Sequence, residues 1–190
     1  MRDSISSFPF GSATALVRAL RSKRVSSVEL LQAYLERVDR LNPALNAIVV
    51  DDRTNALRQA RAADRALAKG APLGPLHGLP MTVKEAFNLK GTDTTWGYPD
   101  KVGNRAHADA LVVQRLKAAG AVVFGKSNVP LNNADFQSYN AIYGTTNNPW
   151  DLGRGPGGSS GGAAAAVAAG DRAAHRLSAR NLLPTSRPDA

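Results

Sequence analysis

The sequence contains no cysteine, which excludes disulfides and thiolate metal sites, and its three histidines, His77, His107 and His175, have no ligand spacing. No metal and no cofactor is expected. Long apolar runs are also missing: none approaches the roughly 20 residues that cross a bilayer. The N-terminal "MRDSISSFPFGSATALVRALRS" lacks the basic-then-apolar layout of a secretory signal. A cytoplasmic protein with no membrane partner is the expectation. Aromatics make up only 6% and charged residues 21%, against 43% hydrophobic content, a balance that excludes a disordered tail and suits one globular domain. Glycine is missing from the last twenty residues, since all 17 glycines lie at or before Gly170.

What is abundant is positive charge, a net +9. The bases are spread through helical patterns and alternate with acids, as in "LERVDR" and "RAADRALAKG", so they read as solvated helix faces and not as a nucleic-acid surface, which clusters its bases.

Periodicity sketches alternating helices and strands. Ser26 and Glu29 have capping-box spacing, and Val28, Leu31, Leu35 and Val38 recur at helical intervals after them. "NAIVV" is β-branched and strand-like; Ala56, Leu57, Ala60, Ala63 and Leu67 then mark a second helix, ended by Gly70. The turn "GAPLGPLHGLP" leads into "MTVKEAF", whose start reads as a buried strand. Next come the helix "ADALVVQRLKAAG", stopped by Gly120, and the apolar strand "AVVFG". The order argues α/β. Residues 126–158 are Asn-, Gly- and Pro-rich, and their interleaved Phe136, Tyr139, Tyr143 and Trp150 predict an ordered, packed loop.

That loop delivers the chain to "GGSSGG" ahead of "AAAAVAAG". A flexible linker is excluded by the helix-forming alanines that follow. Two readings of the segment stay open. One is an anion cradle at a helix N-terminus, although neither P-loop nor G-x-G-x-x-G spacing is present. The other is a catalytic serine held in a backbone that its flanking glycines make accessible.

The wider sequence resembles the amidase signature family of serine hydrolases. The resemblance is carried by "GPLHGLPMTVKEAFNLKGTDTTWG" (74–97), "GKSNVP" (125–130) and "YGTTNNPWDLGRGPGGSSGGAAAAVAAG" (143–170), in the family's order and spacing. It implies a mixed β-sheet wrapped by helices, no cofactor, and a Ser-cisSer-Lys triad that hydrolyses carboxylic amide C–N bonds through an acyl-enzyme. Lys84 matches the catalytic lysine and Ser159 the cis-serine, following Gly158. By the same analogy, Asn133 and Gly158 fall on the substrate-binding side, and Ser160 is structural. An ammonium cannot accept a proton, so a lysine acting as base must be neutral, which burial favours. By itself Lys84 reads as a strand-end lysine reaching water. His77 and His107 read as loop or packing residues.

The pattern breaks after Gly170. Family members continue into a second glycine-rich loop, of the form Gly-Ser/Thr-Asp-x-Gly-Gly-Ser, which supplies the nucleophile; counting from Ser159, that serine falls near residue 183, where this sequence has Leu183 in "ARNLLPTSRPDA". Ser178 and Ser186 stand in unsuitable contexts. The expectation is therefore an N-terminal portion of one amidase domain over 1–170 and an aberrant, out-of-frame tail over 171–190. Such a chain is expected to be inactive and poorly soluble alone. Its expected partners are a small-molecule amide and either a second copy or a complementing C-terminal fragment; an amidotransferase A-subunit-like chain is the alternative. Sequencing the coding DNA downstream of codon 170 tests the frameshift: a shifted frame is expected to encode the missing glycine-rich loop, and its absence from every frame refutes the idea.

Overall fold

The computed structural model describes residues 11–170. The tail 171–190, with Leu183 and the expected frameshift, lies outside the described residues. Ten elements carry the fold: α1 (Ala13–Arg21), α2 (Ser27–Leu45), β1 (Ile48–Asp51), α3 (Arg53–Ala68), β2 (Pro80–Lys84), α4 (Leu111–Ala118), β3 (Val122–Ser127), β4 (Tyr139–Asn140), β5 (Gly144–Thr145) and α5 (Gly161–Ala168). No helix among the described residues is long and apolar enough to cross a membrane.

The helices begin where their first N–H groups find acceptors. At α2, Ser26 Oγ accepts from Glu29 N at 3.1 Å while Glu29 Oε2 accepts from Ser26 N at 2.8 Å, the reciprocal pairing predicted from the spacing. Asp64 of α3 takes the next two donors, Ser27 N at 2.7 Å and Val28 N at 3.1 Å, and so ties α3 to the start of α2. The α2 face that enters the core carries Leu30, Leu31, Tyr34, Leu35 and Val38, with Val28 at its margin. Helix α4 starts at Leu111, later than the sequence pattern predicts. Its preceding residues are held elsewhere: Ala110 N donates to Asn88 O at 2.9 Å and Asp109 Oδ1 accepts from Lys90 N at 2.8 Å.

The main sheet has the order β1-β3-β2, with β1 antiparallel and β2 parallel to the central β3. This is the mixed sheet expected. One apolar cluster joins Val122 and Phe124 of β3 to α1, α2, α3 and α5; a second joins Met81 and Val83 of β2 and Val123 of β3 to Leu89, Val113 and Ala121. Both faces of the sheet are therefore covered, which is why β3 reads as a continuous apolar run.

An irregularity in the β2–β3 ladder decides what happens at its far end. Met81 pairs with Val123 but Thr82 pairs with Gly125, so β3 carries one extra residue, Phe124, at that point. A bulge of one residue reverses the alternation of faces. Beyond it Val83 pairs with Lys126 and Lys84 with Ser127. Paired neighbours share a face, so Lys126 lies on the Val83 side and Lys84 on the other.

The long loop is ordered but not for the reason its aromatics suggest. Phe136 is 86% exposed and Trp150 79%, with Tyr139 also exposed, so the prediction that aromatics pack the loop is corrected for all but Tyr143, which is half-buried. Buried polar side chains hold it instead. Asn128 Nδ2 donates to Gly144 O and Thr146 Oγ1, Asn140 Nδ2 donates to Asn128 Oδ1 and Val129 O, and Asn140 Oδ1 accepts from the N–H groups of Ile142 and Tyr143. Each buried amide is satisfied by backbone groups together with other side chains of the network, which fixes the loop without apolar burial.

Helix α5 approaches this loop closely enough to require glycine. A Cβ on Gly162 would lie 2.5 Å from Asn128 N, 2.7 Å from Asn128 O and 2.8 Å from Ala47 O, all backbone atoms. Gly162→Ala is therefore expected to lower stability by about 1–3 kcal/mol through overpacking. Urea unfolding of the two chains measures it; equal midpoints would show that the helix seats without this close approach.

Candidate active site

Lys84 ends β2 and Ser159 lies in the loop just before α5. Lys84 Nζ and Ser159 Oγ are 2.8 Å apart, joining residues 75 positions apart in the chain. Strand alternation turns the lysine to the α5 side of the sheet, and both side chains are half-buried. Burial pulls the Lys84 pKa below its usual 10.5, because an ammonium loses hydration there. Among the described residues no ion pair involves Lys84.

The serine loop is held from outside. The Gly158–Ser159 peptide is cis. Ser138 Oγ accepts from Gly161 N at 2.9 Å, capping α5 from the long loop, while Ser160, the residue at the helix start, makes no side-chain cap bond. Gly158 lies against the backbone of Phe136 and Gln137, where a Cβ has no room. Those contacts set the position of Ser159 more than its own helix does.

Asn133 stands apart from the couple. It sits in the 3-10 turn Leu131–Asn133 with a left-handed backbone, φ 55°, and its Oδ1 is buried without a hydrogen-bond partner. Asn132 N donates to Trp96 O at 2.8 Å, and Trp96 N donates to Glu85 Oε2 at 3.0 Å. The turn is thus linked to Glu85, the neighbour of Lys84, through Trp96. His77 is a buried packing residue whose Nε2 lies 3.1 Å from Ala63 O, and His107 is exposed. No cluster of three or more His, Asp or Glu able to hold a metal occurs among the described residues.

Sequence reasoning missed a second buried lysine. Lys126 and Glu85 are both fully buried, with Lys126 Nζ 3.8 Å from Glu85 Oε1. A lysine directly after "AVVFG", inside a continuous apolar strand, was the available signal. Lys126 Nζ also donates to Asp93 O at 2.5 Å and Thr94 Oγ1 at 3.0 Å. Burial pulls its pKa down to about 8, with the Glu85 and Asp93 charges acting the other way.

The Amidase family profile matches residues 29–173. This chain belongs to the Amidase family. Over 159 residues it is 44% identical to the acylamidase of Rhodococcus erythropolis, a match that covers 84% of this chain and 33% of that enzyme. It is 48% identical over 158 residues to the A-subunit of the glutamyl-tRNA(Gln) amidotransferase of Azoarcus sp. strain BH72, covering 83% of this chain and 32% of that relative. Among solved structures, fatty acid amide hydrolase superposes with a TM-score of 0.85 at 30% identity, covering 91% of this chain and 31% of that one. The fold is thus that of amidase signature enzymes, and the chain spans about a third of the length of the curated relatives it matches.

The lowered pKa of Lys84 has a consequence for stability with a definite sign. Between the folded value and 10.5 the unfolded chain binds the extra proton, so the contribution of this group to stability rises with pH through that window. Below the window its burial as an ammonium is a penalty. Lys84→Met is therefore expected to be more stable than the parent at pH 7, with the gap closing as pH rises toward 10.5. Paired urea titrations across that range check this; a gap constant with pH would mean that Lys84 keeps its proton on folding without cost.

Proposed function

We propose that this chain carries the lysine and cis-serine of an amidase centre that hydrolyses carboxylic amides through an acyl-enzyme. The observation that supports it most is the 2.8 Å contact between Lys84 Nζ and Ser159 Oγ at the end of a parallel strand. Lys84 in its neutral form, which burial favours, is the general base: its lone pair accepts the Ser159 proton as Ser159 Oγ accepts the proton of the attacking hydroxyl. In the reverse direction the same two groups return a proton to the leaving amine. By analogy with the family, Gly158 and Asn133 are assigned to the acyl side. In the family order of motifs the attacking serine follows the alanine helix in a glycine-rich loop; the sequence after Gly170 holds no such loop and has Leu183 near the expected position. The chain is read as the N-terminal portion of one amidase domain, acting in the cytoplasm on a small-molecule amide.

A second reading has a specific observation behind it, the 48% identity to an amidotransferase A-subunit. Glutamine then replaces a simple carboxamide as the nitrogen source, and ammonia is passed on instead of released.

Both readings are tested by ammonia release from carboxamides and from glutamine. The chain is assayed alone and mixed with a separately made C-terminal portion of the Rhodococcus acylamidase that carries the glycine-rich serine loop. Turnover is expected only in the mixture, and Lys84→Ala or Ser159→Ala in this chain is expected to lower it by about 100- to 10,000-fold. Turnover that survives both substitutions would remove the assignment; turnover confined to glutamine would favour the amidotransferase reading.

A further inference from the structure

Successive residues at the end of β2 face opposite ways. Lys84 meets Ser159 on the α5 side, and Glu85, the carboxylate next to it in the chain, turns to the other face, where the bulge at Phe124 has brought Lys126. Without that bulge Lys126 would fall on the opposite side of β3 from Val83, and Glu85 would have no cation beside it.

Glu85 is fully occupied on its own face. Its N–H donates to Ser127 O at 2.9 Å and extends the ladder by one bond. Oε1 accepts from Thr95 N at 2.7 Å and Thr95 Oγ1 at 3.0 Å, with the Tyr143 hydroxyl at 3.5 Å; Oε2 accepts from Trp96 N at 3.0 Å. Lys126 is occupied likewise, its ammonium reaching Glu85, Asp93 O and Thr94 Oγ1. The two charges bind successive residues of one turn, Lys126 at Asp93 and Thr94 and Glu85 at Thr95 and Trp96.

We propose that the buried Glu85–Lys126 pair is a positioning device for the Lys84–Ser159 couple: it locks Glu85 onto the 93–96 turn, so that this carboxylate cannot turn back and capture the amine of its neighbour Lys84. A free lysine–carboxylate pair at adjacent positions favours the ammonium, which cannot act as a base. The arrangement separates two groups that the sequence makes adjacent. It also explains a buried ion pair that stability alone does not require, since apolar replacements of such pairs are commonly neutral or stabilising. Lys126 and Glu85 touch no reacting atom and act only through Lys84 and the turn. The inference rests on the reading of Lys84 as the base.

The test labels lysines with acetic anhydride over a pH series and reads each site by mass spectrometry, with exposed Lys69 as internal reference. In Lys126→Met the carboxylate loses its cation and keeps only its Thr95, Trp96 and Tyr143 donors, and the midpoint for labelling Lys84 is expected to rise by about one pH unit, making Lys84 roughly fivefold less reactive at the parental midpoint. In the double variant Glu85→Gln/Lys126→Met no carboxylate remains, and the midpoint is expected to return to the parental value. A fold defect alone does not produce this reversal. Glu85→Gln by itself keeps the shape of the side chain but loses an acceptor, so hydrogen exchange at Trp96 N–H is expected to speed up at least tenfold without a rise in the Lys84 midpoint. An unmoved midpoint in Lys126→Met, a double variant that labels like Lys126→Met, or an unchanged Trp96 N–H in Glu85→Gln overturns the proposal. If Lys126→Met fails to fold, Lys126→Gln, which is uncharged but can still donate to Asp93 O and Thr94 Oγ1, takes its place in the single and double variants with the same expected outcomes. A parental Lys84 that titrates with Lys69 instead removes the base assignment, a separate failure.

Discussion

The parallel ladder between β2 and β3 carries the candidate site, and its register past the Phe124 bulge is the constraint on which the other contacts depend. That register sends Lys84 to one face of the sheet and Glu85 with Lys126 to the other. A slip of a single residue would exchange the faces, placing the lysine amine against the buried acceptors of the 93–96 turn and the carboxylate beside Ser159. The energetic guard on this register is burial. Val122, Val123 and Phe124 enter two different apolar clusters and cannot trade places without exposing one of them.

The second half of the couple is positioned by a different kind of force. Helix α5 is almost all alanine and glycine and offers little side-chain area for packing, so its placement comes from close backbone approach: Gly162 against Asn128 and Ala47, and Gly158 against Phe136 and Gln137. The long loop that receives it is organised by Asn128, Ser138, Asn140 and Thr146, all buried and hydrogen-bonded. Polar networks of this sort are directional where apolar contacts are not, and they define one arrangement of the loop. A site that needs a serine oxygen within hydrogen-bond distance of an amine is well served by a rigid polar frame and a thin helix.

Much of the scaffold was legible in the sequence. The capping pair Ser26–Glu29, the apolar stripe after it, the β-branched "NAIVV" and the run "AVVFG" each report a local preference that tertiary packing then uses without altering. Helix α1 is missing from the predicted elements, although its N-cap Ser12 and the helical spacing of Ala13, Leu16, Val17 and Leu20 are present in the sequence. The other failures have physical causes. The start of α4 differs from its pattern because Asp109 and Ala110 are recruited by Lys90 and Asn88. The aromatics of the long loop mislead because aromatic content predicts burial only when a partner surface is present, and Phe136 and Trp150 have none among the described residues.

By itself the sequence determined the element types, the α/β order and the two residues, Lys84 and Ser159, in which a family pattern could be recognised, because these rest on local periodicity and on motifs contiguous in the chain. Only the tertiary structure decided that those two side chains meet at 2.8 Å, that a one-residue bulge turns Lys126 toward Glu85, and that adjacent Lys84 and Glu85 are kept on opposite faces. The reason is that register and face are collective properties of paired strands and packed layers: they are set by which apolar side chains can be buried together, and no single segment carries that information.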